Sequence, residues 1–185
     1  MNEKKLEKKL INIICSSLYF FLVMFLTLLL IKYVGQRTEV IGSSMAPTLT
    51  DGDNLVVDKL TYKFREPRRG DIIVFPYRDR SNVFYIKRII ALPGETIYIN
   101  EKSDVYINGE LYQEDYLMEA YMEDPGVAGV PFTLKEGEYF VMGDNRNNST
   151  DSRKLSIGTV KREEITGRAF MRIWPLTKIK ILKHS

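Results

Sequence analysis

The chain has 185 residues and a formal net charge of +3, from 27 lysines and arginines against 24 aspartates and glutamates. This balance does not favour nucleic acid as a partner. A single cysteine excludes an internal disulfide framework and a cysteine-rich zinc site, and a single histidine argues against a histidine-based metal site. About 150 residues remain beyond the apolar N-terminal segment, enough for one domain with a core.

Residues 10–31 carry no charged side chain. As a helix with a rise of 1.5 Å per residue, this segment would span roughly 33 Å, which matches a bilayer core of about 30 Å. The alternative is a cleaved signal peptide, whose apolar region is shorter, about 7–15 residues, and ends at a small-x-small site. Here the apolar segment leads into Lys32 without such a site. We therefore predict an uncleaved transmembrane anchor in the lipid bilayer.

The charges on either side of this segment predict its orientation. Four lysines precede it and two basic residues follow it closely. Because positive flanks stay on the cytoplasmic side, we expect residues 1–9 to be a cytoplasmic tail in a single-pass plasma-membrane protein. Residues 10–31 are then the anchor, and residues 32–185 form an extracytoplasmic domain.

The rest of the chain predicts β-structure, because short β-branched and aromatic runs alternate with turn residues. The Asn108-Gly109 pair is typical of a type I′ hairpin. We therefore expect an all-β antiparallel domain, with residues 114–130 as a mobile insertion. The predicted strands are 38–41, 54–59, 71–75, 83–91, 96–100, 104–107, 110–113, 138–142, 166–173 and 179–182.

Ser44 lies between Gly42 and Pro47, in a segment that predicts a tight, irregular turn able to present a hydroxyl group. It is either an ordinary turn serine or a nucleophile. A nucleophilic serine needs a base, yet the only histidine is His184 near the C-terminus and the only cysteine, Cys15, lies in the apolar segment. A serine–lysine pair is therefore the economical solution.

Lys87 is the candidate base, because it lies with Arg88 inside the apolar run 83–91. Strand alternation sends the two side chains to opposite faces, so we expect one to reach solvent and the other to lie against an apolar surface. The alternative is an edge strand from which the lysine extends to water. Burial would lower the lysine pKa from about 10.4 towards about 8, at a cost of roughly 3 kcal/mol, and a neutral amine could deprotonate Ser44.

Residues 142–153 are dense in hydrogen-bonding side chains. This segment is either a solvated loop or a brace that orients the lysine amine. Asp151 and Arg153 have the spacing of two residues on one strand face, which favours a structural ion pair.

Four ordered segments together carry a resemblance to a known family: SMAPTL at 44–49, RGDIIVF at 69–75, YIKRIIALPGE at 85–95 and GDNRNNSTDSR at 143–153. With the apolar segment, they resemble the type I bacterial signal peptidases, and the single predicted span looks like the Gram-positive forms. The resemblance implies a β-rich serine endopeptidase that removes signal peptides from secreted preproteins after small-x-small sites. It implies no metal or cofactor.

Carried over by position, the resemblance implies that Ser44 is the nucleophile and Lys87 the general base. Ser149 matches a serine that hydrogen-bonds the lysine amine. The backbone N–H of Ser44 would donate to the oxyanion. Some members supply a second donor from a serine two positions before the nucleophile, where this chain has Gly42. That hydroxyl is missing, so a backbone group or water would have to serve.

Further positions follow from the same resemblance. Asp151 and Arg153 match the structural ion pair of the family. The C-terminal tail is either a last core strand or a segment at the lipid headgroup boundary, because it mixes Phe170, Trp174 and Leu176 with Lys178, Lys180 and Lys183. Positions near the substrate cleft match Met45, Leu49, Tyr85 and Ile86.

Three other classes of protein are alternatives to this family. A self-cleaving repressor-type protease shares the serine–lysine pair, but those proteins are soluble and bind DNA, which the apolar segment disfavours. A membrane-anchored assembly protein without activity is disfavoured by the retention of Ser44, Lys87 and Ser149. A sortase-like transpeptidase fails because Cys15 lies in the apolar segment.

Overall fold

The computed structural model describes residues 3–33, 35–77, 80–119 and 121–182. Helix α1 covers Glu3–Tyr33. Its segment Glu7–Leu28 is long and apolar enough to cross a membrane, by length and composition, and none of it is buried against the rest of the protein. The predicted anchor therefore lies in a helix, which begins well before residue 10 and includes most of the predicted tail. Lys183 and His184, both considered above, lie outside the described residues.

The domain that follows contains two antiparallel sheets. The large sheet has the strand order β1-β2-β11-β3-β4-β9-β10, with β12 paired to β11, and the small sheet has the order β7-β6-β5-β8. The strands are β1 Gly35–Glu39, β2 Asn54–Asp58, β3 Ile72–Tyr77, β4 Arg80–Ala91, β5 Thr96–Ile99, β6 Val105–Ile107, β7 Glu110–Tyr112, β8 Phe132–Thr133, β9 Glu138–Met142, β10 Val160–Lys161, β11 Gly167–Trp174 and β12 Lys180–Ile181. The short helical segments are α2 Thr61–Phe64 and the 3-10 turns Gly126–Gly129, Arg146–Asn148, Arg162–Glu164 and Leu176–Lys178.

The predicted antiparallel β-fold is confirmed, and each predicted strand overlaps an observed one. The hairpin prediction is also confirmed: Asn108 and Gly109 both have positive φ, at 52° and 85°, and Ile107 pairs with Glu110 across the turn. Two short strands, β8 and β10, and helix α2 were not predicted, because segments of two to four residues show no periodicity.

Several buried contacts attach residues 114–130, the predicted mobile insertion, to the rest of the domain. Met122 and Ala128 are buried in the core of the small sheet, and the Met122 N–H donates to Ser103 Oγ at 2.8 Å. Glu114 forms a buried ion pair with Arg146. The turn-rich composition of this segment gave no sign of these contacts, which hold it against the domain.

Both faces of the large sheet are covered, and this decides the environment of Lys87. Ile72 and Ile86 belong to the core on one face, whereas Ile73 and Ile89 belong to the core on the other. Lys87 pairs in register with Ile73 on the neighbouring strand. Both faces of β4 are therefore covered at Lys87 and Arg88, so the expectation that one basic residue reaches solvent is wrong.

Candidate active site

Strand β4 brings Lys87 to the turn that carries Ser44. The Lys87 side chain is only 3% exposed, and its Nζ lies 2.8 Å from Ser44 Oγ. The amine also donates to the backbone oxygen of Ile86 at 3.0 Å. The edge-strand alternative is therefore excluded, and the two residues singled out from the sequence are in hydrogen-bond contact.

Burial lowers the pKa of Lys87 from 10.5 to about 8. The carboxylates of Asp151 and Asp144 act in the opposite direction and the guanidinium of Arg153 adds to the lowering, but desolvation dominates. A lysine amine with this pKa is neutral in a useful fraction of molecules near neutral pH. It can therefore accept a proton from the hydroxyl beside it.

The turn that carries Ser44 is held at its start and from the side. Gly42 has φ +92°, in the region that favours glycine, and its N–H donates to Asp51 Oδ1 at 2.7 Å. The Ser43 carbonyl accepts hydrogen bonds from the Ala46 N–H at 3.0 Å and from Asn145 Nδ2 at 3.2 Å. The Ser44 carbonyl accepts from the Asn145 N–H at 3.1 Å. The turn therefore has a defined position against the loop 143–153.

That loop approaches the turn so closely that one position requires glycine. A Cβ at Gly143 would lie 2.4 Å from the Ser44 carbonyl oxygen and 2.4 Å from Ser149 Oγ. The buried Oγ of Ser149 has no hydrogen-bond partner among the described residues. The expected hydrogen bond from Ser149 to the Lys87 amine is therefore absent from this structure, although Ser149 lies close to the turn that carries Ser44.

Asp151 and Arg153 form the expected ion pair, but in a turn rather than on a strand face. The pair is bidentate, with contacts of 2.8 and 2.9 Å, and both side chains are buried. Burial alone would raise the pKa of the Asp151 carboxyl, but Arg153 holds it below its usual range. Asp151 also accepts the Gly143 N–H at 3.0 Å, so the pair fixes the start of the loop.

A second buried ion pair, which the sequence did not reveal, lies behind the site. Arg88 is 1% exposed and donates to both oxygens of Asp144, at 2.8 and 2.7 Å. Thr48 donates to the same carboxylate at 2.5 Å, and the Tyr116 ring lies 3.8 Å from the guanidinium carbon. A buried arginine requires a carboxylate partner, so the apolar surroundings of Arg88 were the available signal.

The serine and lysine lie in a groove with a volume of about 710 Å³. Tyr85 and Ile86 line it as expected, and Met45 borders it although it is only 1% exposed. Leu49 is fully buried in the core and does not line the groove, so the expected substrate contact is not available to it. Within the described ranges, no cluster of three or more acidic, histidine or cysteine side chains could hold a metal ion.

A family model and similar proteins of known sequence identify the family of this chain. A family model described as "Signal peptidase, peptidase S26" matches residues 12–174. A probable signal peptidase I-2 from Synechocystis sp. is 39% identical over 155 residues, covering 81% of this chain and 68% of that protein. Signal peptidase I from Bacillus licheniformis is 38% identical over 162 residues, covering 84% of this chain and 85% of that protein. The crystal structure of a signal peptidase I from Enterococcus faecalis V583 shares 35% identity and a TM-score of 0.46, covering 56% of this chain and 97% of that one. This chain belongs to the signal peptidases of peptidase family S26.

Proposed function

We propose that Ser44 and Lys87 are the nucleophile and the general base with which this chain, as a signal peptidase, removes signal peptides from preproteins. The observation that carries this proposal is the 2.8 Å contact between Lys87 Nζ and Ser44 Oγ, in which the Lys87 side chain is buried and both residues line the groove. Burial supplies the lowered lysine pKa that a base needs, so no histidine is required.

In the proposed reaction, neutral Lys87 takes the Ser44 proton as Ser44 Oγ attacks the scissile carbonyl. The carbonyl oxygen becomes an oxyanion in the tetrahedral intermediate. The protonated lysine then gives its proton to the leaving amine, and an acyl-enzyme remains on Ser44. Water, deprotonated by the same lysine, releases the signal peptide and restores the enzyme.

The groove supports an extended substrate between two strands. β4 pairs with β9 only from Arg88 onwards, so residues 83–86 have no strand partner on that side within the described chain. β1 is the end strand of the large sheet, and its last residues also line the groove. A preprotein segment paired with these edges would present its side chains alternately to the groove, as small-x-small specificity requires.

Membrane anchoring supports the same proposal. We infer that helix α1 spans the plasma membrane with its lysine-rich start in the cytoplasm, which places the groove on the side where translocated preproteins emerge. The C-terminal tail joins the sheet, because β12 pairs with β11 and Leu182 is buried, and the exposed apolar side chains of Trp174, Leu176 and Ile179 support a contact with the lipid headgroups. Anchoring both enzyme and substrate in one plane raises their effective concentration.

The direct test is cleavage of a preprotein with a small-x-small site in lipid vesicles. Wild type should cut after the second small residue, and Ser44→Ala and Lys87→Ala should lose activity while keeping the wild-type melting behaviour or better. Lys154→Ala, which removes an exposed charge outside the groove, is the matched control and should remain active. An inert wild type would favour the non-catalytic assembly protein, and an active Lys87→Ala enzyme would mean that another group is the base.

A further inference from the structure

The tetrahedral intermediate needs hydrogen-bond donors aimed at its oxyanion, and the chain lacks one that the family resemblance led us to expect. Gly42, two positions before the nucleophile, has no hydroxyl group. The chain carries a hydroxyl one position later instead, at Ser43. The Ser43 hydroxyl can replace the missing donor only if it reaches the same oxygen atom that the Ser44 N–H would bind.

The backbone of the turn directs the Ser44 N–H towards an external acceptor. The Ser43–Ser44 peptide is trans, so its C=O and N–H point in opposite directions. Its carbonyl accepts hydrogen bonds from the Ala46 N–H and from Asn145 Nδ2. Its N–H, on the other side, donates to no group in the described part of the chain. A substrate carbonyl in the groove can therefore accept this N–H.

The Ser43 hydroxyl is held next to that N–H. Asn148 Nδ2 donates to Ser43 Oγ at 2.6 Å, which uses an acceptor lone pair and leaves the hydroxyl hydrogen free to be donated. Four covalent bonds separate Ser43 Oγ from the Ser44 nitrogen, so the two atoms are at most about 5 Å apart, which is less than the length of two hydrogen bonds. One oxygen atom can therefore accept from both groups, and Ser43, Ser44 and Asn148 all line the groove.

We propose that Ser43 is a catalytic residue that donates its hydroxyl hydrogen to the oxyanion, and that Asn148 is the positioning residue that orients this hydroxyl. The inference rests on the proposed function of Ser44 and Lys87. As the bond from Ser44 Oγ to the carbonyl carbon forms, the π electron pair moves to oxygen and the Ser44 proton moves to Lys87. The oxyanion then accepts from the Ser44 N–H and the Ser43 O–H. Donation from Asn148 polarises the hydroxyl and strengthens its own donation.

The first experiment separates kcat from KM for Ser43→Ala on the full-length enzyme in lipid. Loss of one oxyanion donor costs on the order of 10²-fold in kcat, and we expect this loss with KM nearly unchanged. Ser43→Thr keeps a hydroxyl and should retain most of kcat. The pH profile of Ser43→Ala should keep the wild-type midpoint, because the lysine is not altered. Ser156→Ala, an exposed serine outside the groove, is the matched control.

The second experiment tests the role of Asn148 by a double-mutant cycle. Asn148→Ala should lower kcat in the wild-type background and have no further effect in the Ser43→Ala background, because its action passes through the hydroxyl. Additive losses would overturn the positioning role. A Ser43→Ala enzyme with wild-type kcat, or a Ser43→Thr enzyme as slow as Ser43→Ala, would overturn the catalytic role of Ser43. The proposed function would still stand in either case if Ser44→Ala abolished cleavage. An inert wild type would refute the proposed function itself.

Discussion

The lowered pKa of Lys87 makes a quantitative prediction for the pH dependence of cleavage. Only the neutral amine can deprotonate Ser44, and the pKa of Lys87 is about 8. The neutral fraction then rises from roughly a tenth at pH 7 to roughly nine tenths at pH 9, so kcat/KM should rise about tenfold over this range and then level off. If the base were a lysine with the ordinary pKa of 10.5, kcat/KM would still be rising steeply at pH 9.

The assay is the initial rate of cleavage in lipid between pH 6 and 10, with a substrate that has no titrating group near its cleavage site. The midpoint of kcat/KM reports the free enzyme. Lys154→Ala should have the same midpoint, because its exposed amine pairs with Asp124 outside the groove. Melting of the enzyme at each pH distinguishes a change in chemistry from unfolding.

Three outcomes would refute this reasoning. A flat or falling profile would exclude a lysine base. A midpoint near 10.5 would mean that Lys87 is not desolvated as its 3% exposure indicates. A midpoint near 6.5 would indicate a histidine, although the only one in the chain is His184.

Further predictions concern stability and packing around the same site. Lys87→Met should abolish activity and raise the melting temperature at pH 7, because the lowered pKa corresponds to about 3 kcal/mol of destabilisation. This gain is full below pH 8 and should shrink as the pH approaches 10.5, which melting curves across that range would show. Gly143→Ala should lower kcat by about 10²-fold, since its Cβ would displace the Ser44 carbonyl; comparison with wild-type kcat tests this. Leu49→Ala should lower the unfolding free energy by about 2–5 kcal/mol, measured by denaturant, and leave KM nearly unchanged because Leu49 does not line the groove.

Local patterns predicted the strands of this fold well. Short β-branched and aromatic runs between turn residues located the long strands, and Asn108-Gly109 located a hairpin, because both signals depend on neighbouring residues. Alternation does not say how many layers cover a sheet. For that reason strand alternation placed Lys87 and Arg88 on opposite faces of β4 but wrongly predicted that one of the two side chains is exposed to solvent.

Contacts between distant segments were less accessible from the sequence. Ser44 and Lys87 are 43 residues apart, and their pairing was inferred from chemistry and family resemblance rather than from periodicity. The hydrogen bond between Ser43 and Asn148 joins residues 105 positions apart and leaves no local pattern. Such contacts depend on how loops close over the sheet.

The two buried ion pairs beside the site affect the charge state of Lys87, the proposed base. Asp144 and Asp151 are the carboxylates that raise the pKa of Lys87, yet each is engaged by its own arginine, Arg88 or Arg153. An unpaired carboxylate in this low-dielectric surrounding would stabilise the ammonium form much more strongly. The arginines therefore help to keep the lysine amine neutral, in addition to holding the loop 143–153.

This role predicts an upward shift of the pH midpoint when Arg153 is removed. In Arg153→Met, Asp151 loses its partner and its charge acts on Lys87, so the midpoint of kcat/KM should move above the wild-type value of about 8. The variant should also lose about 3–5 kcal/mol of stability, because a buried charge is left unpaired. Adding Asp151→Asn removes that charge and should return the midpoint towards the wild-type value. If Arg153→Met melts cooperatively but keeps the wild-type midpoint, the pair acts only on the position of the loop and not on the charge state of Lys87.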